Sequence, residues 1–182
     1  MISRRRFFQS KFSIIAVIAV TLLGLFCLTT LVLSQSREDL DWKPANSVAP
    51  AALVSTALQQ NYLVNQSKTL LYKNQIKVLK IHSRGAGNVY IFDFNTPQLC
   101  GSAGCLYAVY TEDGKSALSL LLNTQLPKKV LLFSVSEQTR NSFPCLEIAQ
   151  PTKEQGMISQ SQYCYEGTGF VLVNSSVISG GA

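Results

Sequence analysis

Apolar and polar positions divide the chain into stretches of different periodicity. Residues 12–33 are an unbroken apolar run, FSIIAVIAVTLLGLFCLTTLVL, without a charged side chain. At about 1.5 Å per residue, a helix of that length crosses a hydrocarbon layer about 30 Å thick, so the run predicts a transmembrane helix or uncleaved signal anchor. Residues 51–66 place Leu53, Ala57, Tyr62 and Leu63 near one side at helical spacing and predict a helix. Beyond residue 70 the pattern changes to short runs of Val, Ile, Leu, Tyr and Phe separated by Gly, Asn, Asp and Pro. It predicts strands at 70–81, 88–94, 105–111, 116–122, 130–135, 145–149, 160–165 and 169–173. Glu112-Asp113-Gly114 marks a hairpin turn in which Gly114 supplies a positive φ. The expected fold class is α+β: an N-terminal transmembrane helix, then one helix packed on a mainly antiparallel β-sheet, disulfide-braced.

Length and charge add boundaries and an orientation. Of 182 residues, those beyond the apolar run suffice for one domain with one core. The expected segments are a basic cytoplasmic stretch (1–11), the transmembrane helix (12–33), a polar, Pro-bearing tether (34–50), an exported domain (51–176) and a flexible tail (177–182). Arg4, Arg5, Arg6 and Lys11 precede the apolar run, whereas Arg37, Glu38, Asp39 and Asp41 follow it. Basic residues stay on the cytoplasmic side. The chain is therefore expected to be a single-pass membrane protein with its N-terminus cytoplasmic and its domain in the periplasm or an equivalent lumenal or extracellular space. Ser3 to Phe8 also resembles a twin-arginine export signal, with Gln9 where a lysine is usual. Cleavage after Ser34 is the other alternative, but the apolar run is longer than a signal peptide needs. Trp42 suits either the membrane interface or packing on the domain, and Cys27 suits packing within the apolar helix.

The formal net charge of +6 is unevenly placed. The first 33 residues hold four of the sixteen basic side chains and none of the ten acidic ones, leaving a net of +2 on the remainder. That is no footprint for DNA or RNA, and nucleic acid is not an expected partner. Residues 42–92 contain no Asp or Glu but carry Lys43, Lys68, Lys73, Lys77, Lys80 and Arg84. Lys73, Lys77, Lys80 and Arg84 are candidates for contact with anionic lipid headgroups or an acidic membrane-protein partner, set against the plainer reading of a solvated strand face.

The most specific pattern is Leu99-Cys100-Gly101-Ser102-Ala103-Gly104-Cys105-Leu106. Two cysteines flanking two glycines between apolar runs suit a disulfide that closes a hairpin tip. Redox exchange would want C-x-x-C at a helix N-terminus, and zinc would want four Cys or His ligands. An anion-binding nest along Gly101, Ser102 and Gly104 is a third possibility. Cys145 and Cys164 remain, and an even exported count suits an oxidising compartment. Spacing favours Cys100 with Cys105 and Cys145 with Cys164, and leaves crosswise pairing open.

Asn88-Val-Tyr-Ile-Phe-Asp-Phe, the Cys-Gly-Ser-Ala-Gly-Cys loop, Phe143-Pro-Cys-Leu-Glu and Tyr163-Cys-Tyr-Glu-Gly-Thr-Gly-Phe together resemble a small exported bacterial domain of unknown function. That module combines a C-G-x-x-G-C hairpin with Y-P-D-L and Y-x-W-x-G-x-x-Y strands, and the resemblance spans about residues 76–174. Cys145 stands where the module has Asp, and Tyr165 where it has Trp. The resemblance implies export, a small β-rich fold, no known catalysis, and an added bridge from Cys145 to Cys164.

Catalytic constellations are scarce. His82 is the one histidine, and there is no H-E-x-x-H, G-x-S-x-G, P-loop or Rossmann glycine pattern. His82 and Ser83 are adjacent and so point to opposite faces of a strand. Asp93 with Glu112 or Asp113 could form an acid/base pair only if the fold brought them within about 5 to 9.5 Å. No cofactor and no metal site is expected. The reading that follows is a membrane-tethered extracytoplasmic binding or assembly module; the alternative is an exported hydrolase, or a thiol oxidoreductase using the Cys100/Cys105 loop.

Overall fold

Residues Asn88–Phe94, Asn-Val-Tyr-Ile-Phe-Asp-Phe, show no polar alternation because the strand they form is covered on both faces. Val89 and Ile91 belong to one apolar cluster and Tyr90, Phe92 and Phe94 to another. The structure, a computed structural model, describes residues 40–61, 75–83 and 85–180.

In chain order the elements are β1 (Lys43–Pro44), α1 (Ala45–Val48), α2 (Ala51–Asn61), β2 (Lys77–His82), β3 (Asn88–Phe94), β4 (Cys100–Gly101), β5 (Gly104–Thr111), β6 (Ser116–Leu122), β7 (Phe133–Arg140), β8 (Phe143–Pro151), β9 (Met157–Tyr165) and β10 (Phe170–Ser179). The first sheet runs β1-β2-β3-β5-β4, with β6 also on β5; the second runs β10-β9-β8-β7. Every pairing is antiparallel.

Side-chain alternation sorts the first sheet's residues between two cores. On one face Val78, Tyr90, Phe92, Phe94, Ala108 and Tyr110 meet Leu53, Val54, Ala57 and Leu58 of α2. Asn61 Nδ2 donates to the Tyr110 hydroxyl at 2.8 Å and that hydroxyl donates to Gln60 Oε1 at 3.0 Å, which fastens the helix end to the sheet. On the other face Leu79, Ile81, Val89, Ile91, Tyr107 and Val109 pack with Phe133, Leu146, Ile148, Tyr165 and Phe170 of the second sheet. The layers are therefore helix, sheet and sheet.

Strands make up 54% of the structure and helices 12%, in two antiparallel sheets, so the α+β expectation is corrected to a mainly β fold. The reason is that a second sheet, β7 to β10, covers the face opposite α2; strand patterns in sequence do not say how many sheets they build. The single-pass expectation is corrected as well. Among the described residues no helix is long and apolar enough to cross a membrane. Residues 12–33, on which the expectation rested, lie outside them, as do Tyr62 and Leu63 of the expected helix. Residues 42–48, expected within a tether, include strand β1 and helix α1. There Ala45 is buried and Trp42 packs edge-on against Tyr107 and Phe133. At the other end, Val177, Ile178 and Ser179, expected at the start of a tail, are strand.

Both disulfides form, Cys100 to Cys105 and Cys145 to Cys164. The second joins β8 to β9, the two inner strands of the second sheet, and both of its sulfur-bearing residues are buried.

Candidate functional site

The Cys100 loop is a hairpin tip. Cys100 lies opposite Cys105 and Gly101 opposite Gly104, and Ser102 and Ala103 make the turn. Gly104 has φ +114°, and a Cβ there would sit 2.2 Å from the Leu122 carbonyl oxygen, so only glycine fits. Gly101 and Ser102 are exposed. Both sulfurs lie 3.4 Å from Asn95 Oδ1. With the thiols joined, what this geometry supplies is a fixed turn at the end of β5.

The basic residues are dispersed. Lys77 and Lys80 are three apart on one strand and so project from opposite faces. Lys77 stands opposite Asp93 in the ladder, and the Lys80 ammonium lies 5.9 Å from the centre of the Tyr90 ring. Lys73 and Arg84 lie outside the described residues. His82 is exposed at the end of β2, while the Ser83 hydroxyl donates to the Gly87 carbonyl and so closes its own turn.

The carboxylates are kept apart. Asp93 pairs in register with Tyr107, whereas Glu112 sits past the other end of β3, beside Asn88. Five residues of strand separate them, roughly 17 Å at 3.4 Å per residue, too far for the acid/base pair considered above. Burial raises the Asp93 pKa, against the lowering effect of the Tyr107 hydroxyl, the Asn95 backbone and Lys77. Asp93 Oδ1 is buried without a hydrogen-bond partner among the described residues. Burial likewise pushes the Tyr107 hydroxyl far above its ordinary value, helped by the Asp93 charge. Glu112 accepts bonds from the Asn88 backbone N–H at 2.8 Å and from its Nδ2 at 3.1 Å, which hold its pKa down. The Thr111 hydroxyl donates to Asp113, and Lys115 lies 3.2 Å from it; these contacts lower the Asp113 pKa. Glu112 and Asp113 line an open depression of about 510 Å³ with Ala86, Gly87, Phe143 and Tyr165. Among the described residues no group of three or more His, Cys, Asp or Glu side chains could hold a metal ion.

The feature that sequence reading missed is the outer edge of β10. After Phe170 every residue of this ten-residue strand is exposed. Val177 is 58% exposed and Leu172 54%, high values for aliphatic side chains in a strand. No charged residue follows Glu166 in the chain. Among the described residues β10 pairs with β9 alone.

The direction of its unpaired main chain follows from the ladder. The Gly180 N–H donates to the Gly156 carbonyl at 2.7 Å, and antiparallel pairs alternate between bonded and non-bonded. Along the register Ser179↔Met157, Val177↔Ser159 and Ser175↔Ser161 are thus the non-bonded pairs. Ser175, Val177 and Ser179 therefore turn N–H and C=O outward, away from β9. The register shift between Leu172 and Asn174 ends this regular stretch. The sequence signal that marks the edge is the absence of charge from residue 167 onward combined with the aliphatic groups at 171–173 and 177–178.

Comparison of the chain with family models, curated proteins and solved structures finds no match.

Proposed function

We propose that this domain is a binding and assembly module that works by strand addition to the outer edge of β10. The observation that carries the reading is the row of outward main-chain groups at Ser175, Val177 and Ser179 on an exposed strand without charge. Edge strands of isolated proteins are ordinarily blunted by Lys, Pro, brevity or an irregular ladder, because free N–H and C=O groups template pairing with another chain. β10 has neither Lys nor Pro. Its one irregularity lies before the regular stretch from Asn174 to Ser179. In strand addition the main chain supplies affinity, and the side chains at alternate positions supply selectivity. Here those side chains are small or aliphatic, so the matching partner is an extended, uncharged, β-branched segment.

The enzyme alternative draws no support from the described geometry. Its two candidate chemistries need a free thiol at Cys100 or Cys105, or carboxylates close together, and the first pair is bonded while the second is held far apart.

The test uses the full chain and a soluble probe, an octapeptide of alternating Thr and Val with Lys at each end. Backbone amide shifts on titration are expected at Ser175, Val177 and Ser179. Shifts at β7 or around Glu112 in their place, or none at all in a chain dilute enough to be monomeric, would overturn the reading.

A further inference from the structure

We infer that the strand added to β10 is β10 of a second copy of this chain, antiparallel, with a two-fold axis through Val177. This rests on the edge reading above and names its partner. A two-fold interface must be self-complementary, because the same patch is presented by both sides. An edge bearing charge would set like charges against each other; β10 carries none, and no side chain at 167–182 is charged.

The register follows from the main chain. The outward residues of the regular stretch are Ser175, Val177 and Ser179, and an antiparallel copy satisfies all of them only when their midpoint lies on the axis. Val177 then meets Val177 of the other copy, and Ser175 meets Ser179, like with like on one face. On the opposite face Ser176 meets Ile178 and Asn174 meets Gly180. The N–H and C=O groups left free in one copy are bonded, and the two four-stranded sheets become one of eight. The exposed Val177 and Ile178 side chains are covered in the same step. Of the other described edges, β1 has two residues, Lys43 and Pro44, β7 carries Glu137 and Arg140, and β6, though free of charge, is broken in register at Ala117, where the Gly169 backbone also closes on the Ala117 carbonyl.

A cysteine placed on a two-fold axis crosslinks to itself, and one placed off it does not. In a bonded antiparallel pair the Cα atoms are about 5.5 Å apart, within disulfide reach, whereas two residues off the axis the copies of one position are roughly 14 Å apart. The full chain with Cys27→Ser, which removes the cysteine outside the two disulfides, carries each probe. Val177→Cys should oxidise to a covalent dimer. Ser175→Cys alone should not, but mixed with Ser179→Cys it should give the heterodimer. Thr139→Cys on β7 should stay monomeric. Val177→Cys crosslinking no faster than Ser175→Cys or Thr139→Cys would overturn the axis. A chain that sediments as a monomer at every concentration yet still binds the Thr-Val peptide at Ser175, Val177 and Ser179 would overturn self-pairing and leave the edge reading standing. Loss of peptide binding as well would overturn both.

Discussion

The second sheet has two edges, and they are built differently. β7 begins buried at Phe133 and then runs through Ser134, Glu137, Gln138 and Arg140, with its ladder to β8 broken between Val135 and Thr139. Arg140 is tied to Glu166 in an ion pair, and Ser134 reaches Glu147 at 3.2 Å. β10 has no charge, and its ladder to β9 is unbroken from Asn174 to Ser179. Charge and a register broken in mid-strand blunt the first edge; the second carries no charge, and its one register shift, between Leu172 and Asn174, leaves Asn174 to Ser179 regular. In one sheet, then, the same backbone chemistry is closed at one border and open at the other, and the sequence differences that do it are small: two ionic residues and the place of a register shift.

The largest expected effect comes from cutting what holds both edges to a common centre. The Cys145–Cys164 bridge spans 19 positions between β8 and β9, and its removal by a double change to Ser should cost about 3 kcal/mol on the chain-entropy estimate. Denaturant midpoints with and without the bridge check this. The Cys100–Cys105 bridge spans only 5 and should cost less.

Next comes a direct attempt to make β10 resemble β7. Val177→Lys puts like charges across the axis and should weaken self-association by about tenfold or more, that is, by at least about 1.4 kcal/mol. Because Val177 is exposed, the stability of the monomer should change by no more than about 0.5 kcal/mol. Sedimentation equilibrium and thermal melts separate the two quantities.

A pH series divides the edge from the core. Burial raises the Asp93 pKa, so the folded chain holds that proton more tightly than the unfolded chain does. Asp93 thus contributes stability that is present below the unfolded carboxyl range, about pH 4, and is lost as pH rises through the raised pKa. Asp93→Asn should remove that fall. Association through β10 should stay level over the same range and between low and high salt, because no ionisable group lies in the strand. The smallest effect belongs to the blunted edge: Arg140→Ala breaks a half-exposed ion pair with Glu166 and should cost about 0.2 to 1 kcal/mol, with no new association.

How much of this was legible beforehand depends on the kind of fact. The hairpin at Cys100 to Cys105 was readable because glycines at 101 and 104 leave few other conformations, and the turn at Glu112-Asp113-Gly114 for the same reason. The strand cores at Val89 to Phe94 and Leu106 to Tyr110 were readable as apolar runs. That these runs divide between two cores was not, since a strand covered on both faces loses its alternation. Lys43-Pro44 read as tether because Pro is rare inside sheets, yet it is tolerated on the short edge strand it forms. Asn174-Ser175-Ser176 read as the end of a strand because its composition is that of a turn; cross-strand pairing with Gln162, Ser161 and Gln160 carried it onward. The dispersal of Lys77 and Lys80 was available from their odd spacing alone. An open edge is a property of topology, and only the charge-free stretch after Glu166 hinted at it.

Amide hydrogen exchange at single residues of β10, followed as a function of protein concentration, separates an open edge that self-pairs from one that stays free. Asn174, Ser176 and Ile178 bond to β9 and should be protected at every concentration, whereas Ser175, Val177 and Ser179 point outward. These three should exchange freely in dilute solution and become protected together as concentration rises. Free exchange of Ser175, Val177 and Ser179 at all concentrations, in a chain that stays monomeric or that associates by some other surface, would contradict self-pairing through β10.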